Sequence, residues 1–142
     1  MIQQMAQEGV QVNAVRGVFP SVTYPSHTTM ITGAVPRRHG IYYNTPFEPE
    51  GQTGRWYWHA SAIRVPTLWD AVRKAGLKSA SISWPASVGG PIDWNIPEFW
   101  SLEPDVLALD AIRSVTRPLE LFAEVEREAT GPFTESDFED RL

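Results

Sequence analysis

No cysteine occurs anywhere in the chain. Disulfide frameworks, thiol nucleophiles and thiolate metal sites are thereby excluded. The compartment stays open, because a secreted protein can do without disulfides. Positive charge is scarce: 12 Lys and Arg stand against 17 Asp and Glu, the formal net charge is −5, and no basic run is longer than Arg37-Arg38. A nucleic-acid-binding domain normally carries a basic face, and no such surface is evident. If the substrate is anionic, the compensating charge has to come from elsewhere, metal ions being the obvious source. Long apolar runs are missing too, and no window nears the ~20 residues that cross a bilayer. Residues 1–8 lack a charged n-region and an apolar h-region, so they do not read as a signal peptide. These residues and 137–142 both read as helices cut while still running, which predicts a piece of a larger fold. Histidine is limited to His27, His39 and His59, none of them paired at i,i+4 or set in an HExxH arrangement.

What is present suffices for a core. Hydrophobic residues make up 42% of the chain, and 142 residues are about one domain's worth. No repeat, low-complexity run or internal boundary divides residues 1–142. Residues 1–8 place Ile2, Met5 and Ala6 at helical spacing before Gly9, and residues 10–19 alternate in part, which predicts an extended or strand-like segment. Residues 65–76 are the clearest helix: Pro66 opens it, Leu68, Trp69 and Val72 form its apolar face, and Gly76 stops it. Residues 77–84 alternate as a strand ended by Pro85, and 86–100 read as loop. Helices are expected over 104–117 and 119–129, with Thr134 capping one more. Two successive helix–strand units predict an α/β fold with a parallel sheet flanked by helices.

The chemistry concentrates in Phe19-Pro-Ser-Val-Thr-Tyr-Pro-Ser-His-Thr-Thr-Met-Ile-Thr-Gly33. Proline favours the first turn of a helix, so a helix should begin at Pro25 or just after it and end at Gly33. Thr23 and Tyr24 then sit at its mouth, where unpaired N–H groups and the helix dipole favour an anion. Thr23 is either a capping residue or a nucleophile, and a threonine hydroxyl needs a base, a lowered pKa or a metal to react. Asn44 is either a turn residue or an amide donor to a substrate oxygen. His27 and His39 read as structural hydrogen-bonders. The aromatic run Trp56-Tyr57-Trp58 is either a hydrophobic plug over the core or a substrate wall. The acidic residues of 120–140 look like solvated helix faces.

The stretch from Phe19 to Gly33, followed by Val35-Pro-Arg-Arg-His-Gly-Ile41 and Asn44, resembles the nucleophile region of the type I phosphodiesterase / nucleotide pyrophosphatase family, within the alkaline phosphatase superfamily. Val65-Pro-Thr-Leu-Trp-Asp-Ala, Ala75-Gly-Leu-Lys-Ser79 and Ser83-Trp-Pro85 resemble its next helix–strand unit, so the resemblance covers most of residues 1–100. By position, it implies that Thr23 is the nucleophile and also a ligand of one of two zinc ions. It further implies that Asn44 contacts a phosphoryl oxygen and that Tyr24 stacks against a nucleotide base. The implied reaction proceeds through a phospho-threonine intermediate on a phosphate ester or nucleotide-like small molecule.

The sequence departs from the family pattern at Ser26, where asparagine is common. In the family, the remaining aspartate and histidine ligands of the two divalent metal ions lie on strands before Met1 and beyond Leu142. The resemblance therefore implies a partial alkaline-phosphatase-like core without its first strand and C-terminal portion, inactive or nearly so on its own. A phosphomonoesterase, a phosphonate hydrolase and a non-catalytic remnant are the alternatives; a sulfatase would carry Cys or Ser where Thr23 stands. A periplasmic or secreted full-length protein is compatible with this reading.

Overall fold

A computed structural model describes residues 1–139. It contains helices α1 (Ile2–Glu8), α2 (Thr23–Thr32), α3 (Pro36–His39), α4 (Leu68–Lys74), α5 (Ala108–Val115), α6 (Leu121–Val125) and α7 (Ser136–Glu139), with strands β1 (Ala80–Ile82) and β2 (Trp94–Ile96). The two strands pair in parallel, with Ser81 opposite Asn95. The fold is α/β with a parallel pair, as the alternation of elements requires.

Several elements differ from expectation. Residues 10–19 form no strand: among the described residues nothing pairs with their backbone, and Val10, Val12 and Val15 are exposed. An extended segment becomes a strand only when a neighbour supplies the ladder. Helix α2 begins at Thr23 rather than at Pro25, because Val22, in extended geometry, already delivers its carbonyl to the Ser26 N–H. Gly33 closes this helix in the left-handed region, φ 65°, its N–H donating to Thr29 O. Helix α4 starts after Pro66, at Leu68, because Thr67 and Asp70 form a reciprocal cap. Leu68 is 59% exposed, so Trp69 alone of the expected apolar face is buried.

Strand β1 is only the central part of 77–84, and β2 lies inside a segment that composition marks as loop. Three residues between Pro91 and Pro97 are too short for periodicity to register. Pairing with β1 makes them a strand, and the Asn95 backbone exchanges two further bonds with Arg117, at 2.7 and 2.9 Å, on the side away from β1. Its side-chain amide donates to Ser87 O at 2.9 Å. The helix expected over 104–117 is confined to α5. That expected over 119–129 is α6, continued by a π-turn over Glu126–Thr130 and closed by Gly131. Thr134 is bound through both its N–H and its hydroxyl to Asp137, at the start of α7.

The core joins Tyr24, Ile41 and Ala86, covered by Trp56, Tyr57, Ala62 and Ile63. The aromatic run is thus a plug. Trp56 meets Tyr24 edge-on at 5.4 Å and Trp100 at 4.9 Å, and Trp58 meets Phe99 and Trp100 at 5.1 Å each. The run is tied down by Tyr57 N–H to Asn44 O, and by backbone bonds between Trp58, Ala60 and Val88.

One cap comes from far along the chain. The Glu135 carboxylate accepts the backbone N–H groups of Ala108 and Leu109 at the start of α5, where no local side chain caps. Anionic capping both satisfies orphan donors and complements the helix dipole. Glu135→Ala is expected to cost ~1–2 kcal/mol in urea denaturation, with loss of hydrogen-exchange protection confined to the first turn of α5 and its surroundings.

Candidate active site

Thr23 is the first residue of α2, and its side chain is exposed. The residue in capping position is Val22, whose side chain makes no capping bond. The capping role that a threonine here could fill is therefore not the one it has. Its hydroxyl is accessible at the helix mouth, while its carbonyl accepts from His27 Nδ1 at 2.8 Å.

Asn44 lies 20 residues on and is brought to the same place. Its Oδ1 accepts the Tyr24 N–H at 3.0 Å, and its backbone carbonyl accepts the Tyr57 N–H at 3.1 Å. Of the two terminal atoms of the amide only the oxygen can accept a backbone N–H, so this bond assigns the amide orientation. The Nδ2 group is then the donor left over on a side chain bonded to the residue next to Thr23. The expected pocket of unpaired helix N–H groups is correspondingly smaller. Tyr24 N–H is used by Asn44, Pro25 has no N–H, and Ser26 N–H is bonded to Val22 O. What remains at the mouth is the Thr23 N–H, the Thr23 hydroxyl and the Asn44 amide.

Tyr24 does not offer a stacking surface. It is 0% exposed, with Trp56 against its ring and its hydroxyl 3.4 Å from Glu98. Burial pushes its pKa well above the usual phenol range, and the Glu98 carboxylate pushes it the same way. A residue that follows an exposed N1 position falls on another face of the helix, and here that face is the core. The base-stacking role is thus corrected to a core role.

His39 is wholly buried. Its Nδ1 accepts the Ile41 N–H at 3.1 Å, so the ring proton resides on Nε2, 3.1 Å from Thr29 Oγ1. It joins α2 to the turn at Gly40, whose φ of 86° favours glycine. Both His27 and His39 are structural hydrogen-bonders, as their positions suggested. Among the described residues, no three His, Asp or Glu side chains are grouped to hold a metal ion. Tested as a metal centre, the described residues do not fit: Thr23 contributes one oxygen, the His27 imidazole beside it has Nδ1 engaged by the Thr23 carbonyl, and no group of three His, Asp or Glu side chains surrounds them. Cavities of about 730 Å³, beside Arg64 and Lys74, and about 280 Å³, beside Phe99 and Ile112, lie away from Thr23, which opens directly onto the surface.

Burial lowers the pKa of His39, partly opposed by a hydrogen bond to the Pro25 backbone. An imidazole with a lower pKa folded than unfolded takes up a proton on unfolding. Its contribution is present in full above about pH 6.5, the unfolded value, and is lost as pH falls from there through the lower folded value. Urea midpoints should decline as pH falls below about 6.5, and His39→Gln should flatten that decline while lowering stability throughout. An unchanged pH slope in the variant would assign the effect elsewhere.

Comparison with known proteins follows the same region. The sequence profile of the type I phosphodiesterase / nucleotide pyrophosphatase family matches residues 1–140. The chain is 26% identical over 98 residues to the human ectonucleotide pyrophosphatase/phosphodiesterase family member 1, covering 61% of this chain and 10% of that protein. It is 29% identical over 94 residues to bis(5′-adenosyl)-triphosphatase enpp4 of Xenopus laevis, covering 61% and 20%. It is 31% identical over 104 residues to family member 7 of Mus musculus, covering 66% and 22%. The chain therefore spans between 10% and 22% of the length of these three relatives. With a family match over nearly its whole length, the chain belongs to the type I phosphodiesterase / nucleotide pyrophosphatase family.

Proposed function

We propose that this chain carries the nucleophile and one phosphoryl contact of a hydrolase that cleaves phosphodiester or pyrophosphate bonds in nucleotide-like small molecules. The observation that carries the reading is the bond from Tyr24 N–H to Asn44 Oδ1. It holds a primary amide beside an exposed threonine hydroxyl that caps nothing. A free hydroxyl next to oriented N–H donors is the minimum equipment for attack at phosphorus. The relatives' names, among them a bis(5′-adenosyl)-triphosphatase, support the substrate class.

In this reading the Thr23 oxygen forms a bond to phosphorus as its O–H bond and the ester or anhydride bond on the opposite side break, the proton being carried off on the leaving alcohol or phosphate. Water then cleaves the phospho-threonine and restores the hydroxyl. The Thr23 N–H and Asn44 Nδ2 donate to the non-bridging oxygens, where charge accumulates. Divalent ions, zinc by family resemblance, belong to the proposal with Thr23 as the one ligand among the described residues. In consequence the chain by itself is proposed to be inactive or nearly so.

The test is hydrolysis of bis(4-nitrophenyl) phosphate in zinc-containing buffer, with 4-nitrophenyl phosphate as comparator. Residues 1–142 alone are expected to match the buffer rate. A chimaera carrying this chain in place of the matching segment of mouse family member 7 is expected to turn over and to prefer the diester. In the chimaera, Thr23→Ala should abolish turnover and Asn44→Ala should lower kcat roughly 10²–10³-fold. A Thr23→Ala chimaera with undiminished activity would refute the nucleophile assignment. Thr23-dependent turnover by the isolated chain would refute its inactivity.

A further inference from the structure

We infer that His27 is a positioning residue for Thr23, an inference that rests on the proposed nucleophilic role and adds a residue to it. His27 lies four residues after Thr23 in α2 and therefore over the same side of the helix. Its Nδ1 is 2.8 Å from the Thr23 carbonyl oxygen. A carbonyl accepts and cannot donate, so Nδ1 carries a proton. In the neutral ring Nε2 is then the acceptor. His39, the other histidine bound to α2, has the opposite tautomer, because its Nδ1 accepts from Ile41 N–H. One short helix thus holds two imidazoles in two different tautomers.

The bond acts where the helix is otherwise least constrained. Thr23 has no capping bond through its side chain. The N–H groups of the first turn, residues 23 to 25, have no acceptor within the helix, and Pro25 has no N–H at all. The amide plane between Thr23 and Tyr24 is instead held at both ends. Asn44 takes its N–H and His27 donates to its carbonyl. With the N–H and the carbonyl of one peptide group both engaged by side chains, two bonds beyond those of the helix ladder bear on the orientation of that plane, and with it on the Thr23 Cα–Cβ direction.

The imidazole is itself braced. Its ring meets Trp84 edge-on, 5.0 Å between centroids at 78°. Trp84 follows β1 and meets Trp69 of α4 at 6.4 Å and 84°. Trp69 is buried. The brace runs from α4 through the β1 exit to the first turn of α2, so the packing of the α/β unit reaches Thr23 through one hydrogen bond. His27 does not need to touch substrate for this role.

Substitutions separate position from bulk. Asn places an amide N–H about where Nδ1 stands, Gln places one nearer Nε2, and Leu removes the donor. In residues 1–142, long-range ¹⁵N–¹H correlation should find His27 as the Nδ1-protonated neutral tautomer near pH 8, and His39 as the Nε2-protonated one. The Thr23 carbonyl and Tyr24 amide resonances should shift in His27→Leu and His27→Gln and return towards wild type in His27→Asn. In the chimaera, His27→Leu should lower kcat ten- to a hundredfold with KM changed less than twofold, and His27→Asn should recover most of it.

An Nε2-protonated His27, or equal resonance and kcat changes in the Asn and Gln variants of a folded chain, would overturn the inference. If the wild-type chimaera is inactive, the proposed function fails by itself. The tautomer and the Thr23–Tyr24 resonances still decide whether His27 holds this peptide. Should His27→Leu fail to fold, the Asn–Gln contrast gives the same decision.

Discussion

The hydrogen bond between the Tyr24 N–H and Asn44 Oδ1 joins everything the candidate site consists of. Asn44 is bound on its other side to Tyr57, so one asparagine connects the mouth of α2 to the aromatic insertion. Removing its side chain would leave the Tyr24 N–H without a partner, and an unsatisfied partly buried donor is costly. A second consequence is chemical. The bond that stabilises the helix start also leaves the Nδ2 group of the same amide as the donor that the proposed function assigns to a phosphoryl oxygen.

The aromatic cluster supplies the rigidity this arrangement needs. A sheet of two three-residue strands cannot by itself immobilise the loops around it. Tyr24, Trp56, Trp58, Phe99 and Trp100 make a connected set of edge-on contacts instead. Such pairs add packing geometry to burial, and here they seat the insertion against α2 and the segment after β2. Tyr24 is consumed in that packing, which is why it is unavailable as a platform for a base. Trp84 and Trp69 make a separate brace on the other side of α2, reaching it through His27.

Charge is arranged in keeping with this division. The late acidic segment, which composition describes as solvated helix faces, contains at least two carboxylates with specific work: Glu135 caps α5 and Glu126 pairs with Arg113 at 2.8 Å. Near Thr23 the described chain offers dipoles rather than cations. Oriented amides can stabilise developing charge but do not neutralise a phosphate dianion, and this is the physical reason divalent ions enter the proposed function.

Local chemistry was legible in the amino-acid sequence wherever it acts over a few residues. Gly33 ends a helix in left-handed geometry, the run from Pro66 to Gly76 contains a helix, and the alternation after it contains a strand parallel to its neighbour. The ordered blocks from Phe19 to Asn44 were sufficient to recognise the family and to single out Thr23. Only the tertiary structure decided what each of these side chains touches. Residues 10–19 have strand-like alternation without a partner, and Trp94–Ile96 has a partner without recognisable alternation. Tyr24 faces the core, Asn44 reaches back 20 residues, and Glu135 reaches back 27. Helix stops and caps depend on backbone sterics and on bonds spanning three or four residues, which sequence spacing records. Burial and long-range hydrogen bonds depend on which distant segments meet, and spacing carries no trace of that.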